Sequence, residues 1–119
     1  MRFAKTLLLL ILVSPFADLA QGHDHWINHG GFRNKAGEYC CGENDCAAMD
    51  IGAVRITAGG YDVHGYGTIN GVMGGRSNRI RVDETVPFSE VQRSSDGVFW
   101  RCHRPDGSRR CFFVPDQMM

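Results

Sequence analysis

Lysine is nearly absent from this chain: Lys5 and Lys35 are its only two, against eleven arginines. Net charge is absent as well, because 13 basic and 13 acidic side chains cancel at pH 7. A balanced surface has no broad field with which to hold nucleic acid or an anionic membrane. Long apolar runs are missing beyond Leu7 to Val13, and a membrane-crossing helix needs about 20 such residues. The five cysteines contain no CxxC motif. A thioredoxin-type dithiol centre therefore lacks direct support, and the regularly spaced ligand pairs of a zinc site are missing too.

What is present begins with export. Arg2 and Lys5 precede the run Leu7 to Val13, the breaker Pro15 follows, and small residues come next. That is the pattern of a secretory signal peptide. Cleavage after Ala20-Gln21-Gly22 satisfies the small-x-small rule and makes His23 the first mature residue, whereas a cut after Ala20 puts Asp18 where a small residue belongs. No cysteine near the cut suggests a lipid anchor. The mature chain is then 97 residues (119 minus 22), and loss of Arg2, Lys5 and Asp18 leaves 11 basic and 12 acidic groups. This length suits one domain, residues 23–119, that buries about 65% of its unfolded surface.

A thin core outside the cytoplasm calls for disulfides. Three of the cysteines, Cys40, Cys41 and Cys46, crowd into "GEYCCGENDC"; the others, Cys102 and Cys111, bracket "HRPDGSRR". The second pair reads as a hairpin of two strands, 98–103 and 109–114, about the turn formers Pro105-Asp106-Gly107-Ser108. A four-residue loop places Arg104 opposite Arg109 and Cys102 opposite Cys111, and a bond between those two would contribute about 2.5 to 3 kcal/mol. A three-residue loop, with Pro105 at its first corner and Gly107 left-handed, shifts the register by one and sends the cysteines to opposite faces. With Cys102 and Cys111 joined, Cys40 or Cys41 can close a tight loop to Cys46. The competing arrangement ties the amino-terminal cluster across to the hairpin. Spacing does not choose between them, and one thiol remains unpaired either way.

Between the cysteine regions "VRITA" and "NRIRV" alternate with period two, "TVPFSEV" is a short or edge strand because Pro87 has no amide hydrogen, and Gly59-Gly60 and Ser94 to Gly97 are turns. No apolar period of 3.6 residues lasts three turns in the mature chain; a short helix is conceivable only over 43–50. The glycine-rich stretch 65–78 lacks the lysine and the following helix of a phosphate loop. The expected fold is mainly β: a small antiparallel sheet or partly open barrel of five to six short strands, stapled by disulfides. An irregular Cys-rich arm over residues 23–52 precedes a sheet region over 53–119.

Both ends of the mature chain, "HxxWxN...GEYCCGxxDC" and "VPFSEVQRSSDGVFWRCHRPDGSRRCFFVP", resemble a group of small exported alphaproteobacterial proteins. Those proteins carry a CCxxxDC cluster near the mature start and a closing C...CFF(V/A)P hairpin. The resemblance covers about two-thirds of the mature chain, implies that all five cysteines belong to one pattern, and carries over no catalytic residue.

Two patterns point to ligands. Cleavage before His23 makes His25 the third residue, so the free amine, two amide nitrogens and the His25 imidazole form a square of nitrogens suited to Cu(II) or Ni(II), with His23 and His29 as further imidazoles. Amide and imidazole protons must leave, so such binding weakens in acid. Arginines cluster at Arg76, Arg79 and Arg81 and again at Arg101, Arg104, Arg109 and Arg110. Their planar forks suit carboxylate and phosphate groups, so either cluster is a candidate anion or glycan groove, the plain alternative being a solvated strand face. Catalysis finds little footing: His64, His103, Asp96 and Asp106 occupy strand-edge or turn contexts, and no histidine is spaced to activate a cysteine. The expectation is a periplasmic or secreted binding or envelope-accessory module for an envelope or extracellular ligand, with no nucleic-acid partner and no membrane span after processing. It is expected to be a monomer, or a disulfide-linked dimer through the odd cysteine. The alternative is a copper or nickel binder that uses its processed terminus.

Overall fold

A computed structural model describes residues 26–41, 45–69 and 78–119 of the chain. The leader, His23, His25 and Arg76 lie outside those residues. The fold is mainly β. Among the described residues seven strands form one open sheet: β1 (Cys46–Met49), β2 (Val54–Thr57), β3 (Gly60–Ile69), β4 (Arg79–Val86), β5 (Val91–Ser94), β6 (Trp100–His103) and β7 (Arg109–Pro115). One short helix, α1 (Trp26–His29), opens the arm. Among the described residues no helix is long and apolar enough to cross a membrane.

Across the sheet the order is β4, β3, β1, β6, β7, β5, with β2 sharing the β1 edge of β3. One more strand is present than the five to six expected, because ten-residue β3 serves two short partners laid end to end. Its carboxyl half pairs with β1 and its amino half with β2, and a turn at 50–53 separates them, closed by the Ala53 amide donating to the Asp50 carbonyl at 3.1 Å. Residues 46–49, assigned from sequence to the arm or a short helix, are thus a central strand, and the arm ends near residue 45. Small side chains permit this. Ala47 and Ala48 let β1 lie between β3 and β6, and a Cβ on Gly67, opposite Met49, would stand 2.8 Å from the Met49 sulfur. The sheet is antiparallel except at its far edge, where β5 runs parallel to β7. Pro87 and the 3₁₀ turn Phe88–Glu90 end β4 and lead the chain into that edge strand.

β7 is buried on both faces, so it marks the middle of the molecule. Phe112 and Val114 point into one core with Val63, Val82, Val86 and Tyr61, over which β3 and β4 curl. Cys111 and Phe113 point into the other with Cys46, Trp100 and Cys102, and the arm covers that side. Trp26, Phe32 and Phe113 meet edge to face there, with ring centroids 5.2 to 5.4 Å apart, an arrangement that adds to simple burial. The indoles of Trp26 and Trp100 both donate to the Asp96 carboxylate, which also takes the Ser94 hydroxyl and the Val98 amide. Burial works against ionisation of Asp96, but these donors outweigh it and hold its carboxyl below the ordinary range.

The closing hairpin combines both registers considered above. Its loop has three residues: Arg104 pairs with Ser108, and Gly107, at φ 87°, donates to the Arg104 carbonyl. Arg104 therefore does not face Arg109. A β-bulge beyond His103 and Arg109 then takes up Arg110 as an extra residue, which restores Cys102 opposite Cys111 and keeps both inside.

Those two cysteines are opposed but not joined. Cys111 reaches instead to Cys40 of the arm, with Cα atoms 5.4 Å apart, and Cys102 to Cys46 of β1, at 4.0 Å. The register explains the second choice. The His103 amide donates to the Asp45 carbonyl at 2.8 Å, so Cys46 and Cys102 form a non-hydrogen-bonded pair, in which facing side chains stand closest. Cys102 turns its own amide and carbonyl toward β7, which makes its pairing with Cys111 the wider kind. Both pairs tie the amino-terminal cysteine cluster to the hairpin, and Cys41 also stands at disulfide distance from Cys46, with Cα atoms 6.3 Å apart.

Candidate functional site

The first arginine cluster faces solvent on the outer side of β3 and β4. Arg79 holds Asp50 through two hydrogen bonds of 2.6 and 2.9 Å, Arg81 holds Asp83, and both lie over the Tyr66 ring. His64 joins the row through Asp83, at 3.1 Å. Each of these guanidinium groups has its carboxylate, and both lie on an exposed strand face.

The second cluster divides. Arg101 turns inward, its side chain 9% exposed, and donates to Glu84 at 2.6 Å. Arg104, Arg109 and Arg110 line a cleft of about 410 Å³ between the arm and the β5/β7 edge, joined there by Arg33, Lys35 and Gln92. Sequence reasoning grouped the three hairpin arginines with Arg101. It missed Arg33 and Lys35, because only the folding of the arm brings them alongside.

The arm presents those two residues on a small hairpin of its own. Arg33 and Tyr39 pair as an isolated bridge, and Asn34 organises the turn. The Asn34 side-chain oxygen accepts from the Ala36 and Glu38 amides at 3.0 Å, while its amide nitrogen donates to the Arg110 carbonyl at 3.0 Å. The Arg33 guanidinium lies over the Tyr39 ring and donates to its hydroxyl. Gln92 of β5 donates to the Arg33 carbonyl at 3.1 Å, joining arm to sheet edge.

Carboxylates behind the cleft hold the hairpin arginines in place. Glu38 receives Arg104 on both oxygens, at 2.6 and 3.0 Å, and this fork, with Asn34, pulls its carboxyl down to about 2. Arg109 bridges Glu84 and Glu90. Arg110 is less well served: its contacts to Asp45 and the Tyr39 carbonyl are 3.3 and 3.5 Å, and its buried Nε has no hydrogen-bond partner. Among the described residues Arg33 and Lys35 have no carboxylate partner, and Glu90 is the one acidic side chain in the cleft lining. The cleft lining therefore carries five cationic groups and one carboxylate, with Glu38, Glu84 and Asp45 paired to three of those cations from behind.

Of the other candidates, His29 is exposed at the end of α1. His103 has a buried Nδ1 without a partner, and burial pushes its pKa down, reinforced by Arg101 and Arg110 and opposed by Asp45. Asp106 accepts from the Ser108 amide and hydroxyl, a turn role. No family model, curated protein or solved structure matches this chain.

Proposed function

We propose that this protein is an exported, disulfide-stapled binding module whose ligand is anionic, taken up in the cleft between the arm and the β5/β7 edge. The observation that carries this reading is a pair of cations with no carboxylate partner among the described residues, Arg33 and Lys35, in a cleft also lined by Arg104, Arg109 and Arg110, which Glu38, Glu84, Glu90 and Asp45 hold in place. Five of the chain's 13 basic side chains line this one concavity. Arginine forks fixed in advance by Glu38 and Glu84 lose little freedom when an anion arrives, and their spare N–H groups suit carboxylate, sulfate or phosphate oxygens. Export is supported by the leader pattern and by cysteines that meet in pairs, a state that persists outside the cytoplasm.

The test is a calorimetric titration with two probes, inorganic phosphate and a short oligogalacturonate, at about 50 mM salt. Binding of at least one probe is expected, weakening as salt rises, with the double variant Arg33→Ala, Lys35→Ala losing tenfold or more. Neither side chain joins the ion pairs that hold the fold, so the variant should keep its stability. Absence of heat with both probes, or equal affinity in the variant, would overturn the reading.

A further inference from the structure

Five cysteines leave one sulfur unpaired in any fully oxidised single chain, and the structure shows which three compete. Cys40 and Cys111 form a pair of their own. The Sγ atoms of Cys41, Cys46 and Cys102 all lie within 4.8 Å of one another, with Cys41 Sγ 3.4 Å from Cys102 Sγ. Cys46 stands at disulfide distance from both neighbours, with Cα separations of 6.3 Å to Cys41 and 4.0 Å to Cys102. A disulfide sulfur bonds one partner at a time. Cys46 must therefore choose, and the backbone accommodates either choice.

We propose that these three cysteines are a thiol–disulfide exchange site, and that Cys41 is the position at which the protein forms a mixed disulfide with a small thiol. In the internal step the Cys41 thiolate attacks Cys46 Sγ. A Cys41–Cys46 bond forms, the Cys46–Cys102 bond breaks, and the electron pair leaves with Cys102 Sγ, which takes up a proton equivalent to the one Cys41 gave up. Nothing is oxidised or reduced overall, so no outside reagent is needed. In the external step the Cys41 thiolate attacks the disulfide of a low-molecular-weight thiol, joins one half of it, and releases the other half as thiolate.

Burial gives the exchange its meaning. Cys102 is fully buried, whereas Cys41 is half-buried at the end of the arm. When Cys46 holds Cys102, the odd thiol is Cys41 and reagents reach it. When Cys46 holds Cys41, the odd thiol is Cys102 and lies inside the second core. One exchange thus shows or hides a reactive group while Cys40–Cys111 keeps the arm tied. A metal centre fits less well, because a structural zinc takes four ligands and no fourth cysteine, histidine or carboxylate joins the three among the described residues.

The experiment uses wild-type protein exported by its own leader, alkylated with N-ethylmaleimide without denaturant or in urea, then digested unreduced and mapped by mass spectrometry. Expected are one maleimide per chain, native labelling at Cys41 at least ten times faster than at Cys102, and both Cys46–Cys102 and Cys41–Cys46 linked peptides. Oxidised glutathione should add one glutathionyl group, at Cys41, and Cys41→Ser should take none. Cys102→Ser, which locks Cys46 onto Cys41, should also take none. A single linkage for Cys46 would overturn the exchange. Absence of a glutathionyl adduct on wild type would overturn the mixed-disulfide site, and three reduced thiols on a chelatable metal would overturn both.

Discussion

Glu84 on β4 accepts from Arg101 on β6 at 2.6 Å, although β3 and β1 lie between those strands in the sheet. A flat sheet would hold them about 14 Å apart, at roughly 4.8 Å per strand position. The contact therefore measures how far the sheet curls over its first core. Arg109 of β7 donates to the other oxygen of Glu84 at 2.7 Å, so a single carboxylate closes the open side against two strands. The same arginine lines the ligand cleft, which makes the closure and the cleft one connected piece of chemistry.

Glu84→Gln should destabilise the protein by about 3 kcal/mol, because it leaves the Arg101 charge enclosed without its counter-ion. The double variant Glu84→Leu, Arg101→Met, which removes both members and fills the space with apolar groups, should lie closer to wild type than the single change. Urea unfolding midpoints decide the matter. A single variant within 1 kcal/mol of wild type would show that solvent serves Arg101 as well as Glu84 does.

The Cys40–Cys111 pair spans 71 positions, but a Cys46–Cys102 bond lies inside that span and shortens the circuit it closes to about 16 residues. Loop-closure entropy gives roughly 3 kcal/mol for that circuit, and about 4 when Cys46 is joined to Cys41 instead. Oxidised Cys40→Ala, Cys111→Ala protein should unfold at correspondingly lower urea, and most of the difference should vanish when both proteins are compared reduced. Equal midpoints in the oxidised state would mean that the arm is held by its aromatic contacts alone.

The β class was legible in alternation such as Ile80 and Val82 turned inward against the exposed Arg79 and Arg81, since a two-residue period needs no knowledge of the partner strand. The Gly107 turn was legible for the same reason, its chemistry being local. What escaped was non-local. Nothing in "CAAM" announces a central strand; that role comes from β3 and β6 arriving on either side. Likewise the bulge at Arg110, which decides where Cys111 points, depends on a ladder whose other members lie elsewhere. The cleft was half visible: Arg104, Arg109 and Arg110 are neighbours in sequence, but Arg33 and Lys35 join them only because Asn34 and Glu38 bind the hairpin.

Acid should loosen the arm through Glu38. Its carboxyl is depressed from 4.5 to about 2 by the Arg104 fork and Asn34, so the stabilisation it gives is complete above the unfolded value. That stabilisation is lost as pH falls from about 4.5 toward about 2. In Arg104→Gln the largest cause of the depression is gone, and the Glu38 titration midpoint should move up toward 4.5. Side-chain carboxyl chemical shifts followed over that range report it directly. An unchanged midpoint would assign the depression to Asn34 and Arg110 instead.

Gly107 isolates backbone conformation from packing. At φ 87° it occupies the left-handed region, yet a Cβ built there meets nothing within 4 Å, so a substitution is penalised by the backbone alone. Gly107→Ala should therefore cost about 1 kcal/mol and lower the melting temperature by roughly 4 to 8 °C for a domain of this size. Gly107→Asn should recover part of the loss, because asparagine tolerates that conformation better. The disulfide map should be identical in all three proteins, since it is the bulge at Arg110, beyond the loop, that sets Cys111 opposite Cys102. If Gly107→Ala melts with wild type, the loop does not need a left-handed residue, and the four-residue turn that places Arg104 across from Arg109 regains its standing.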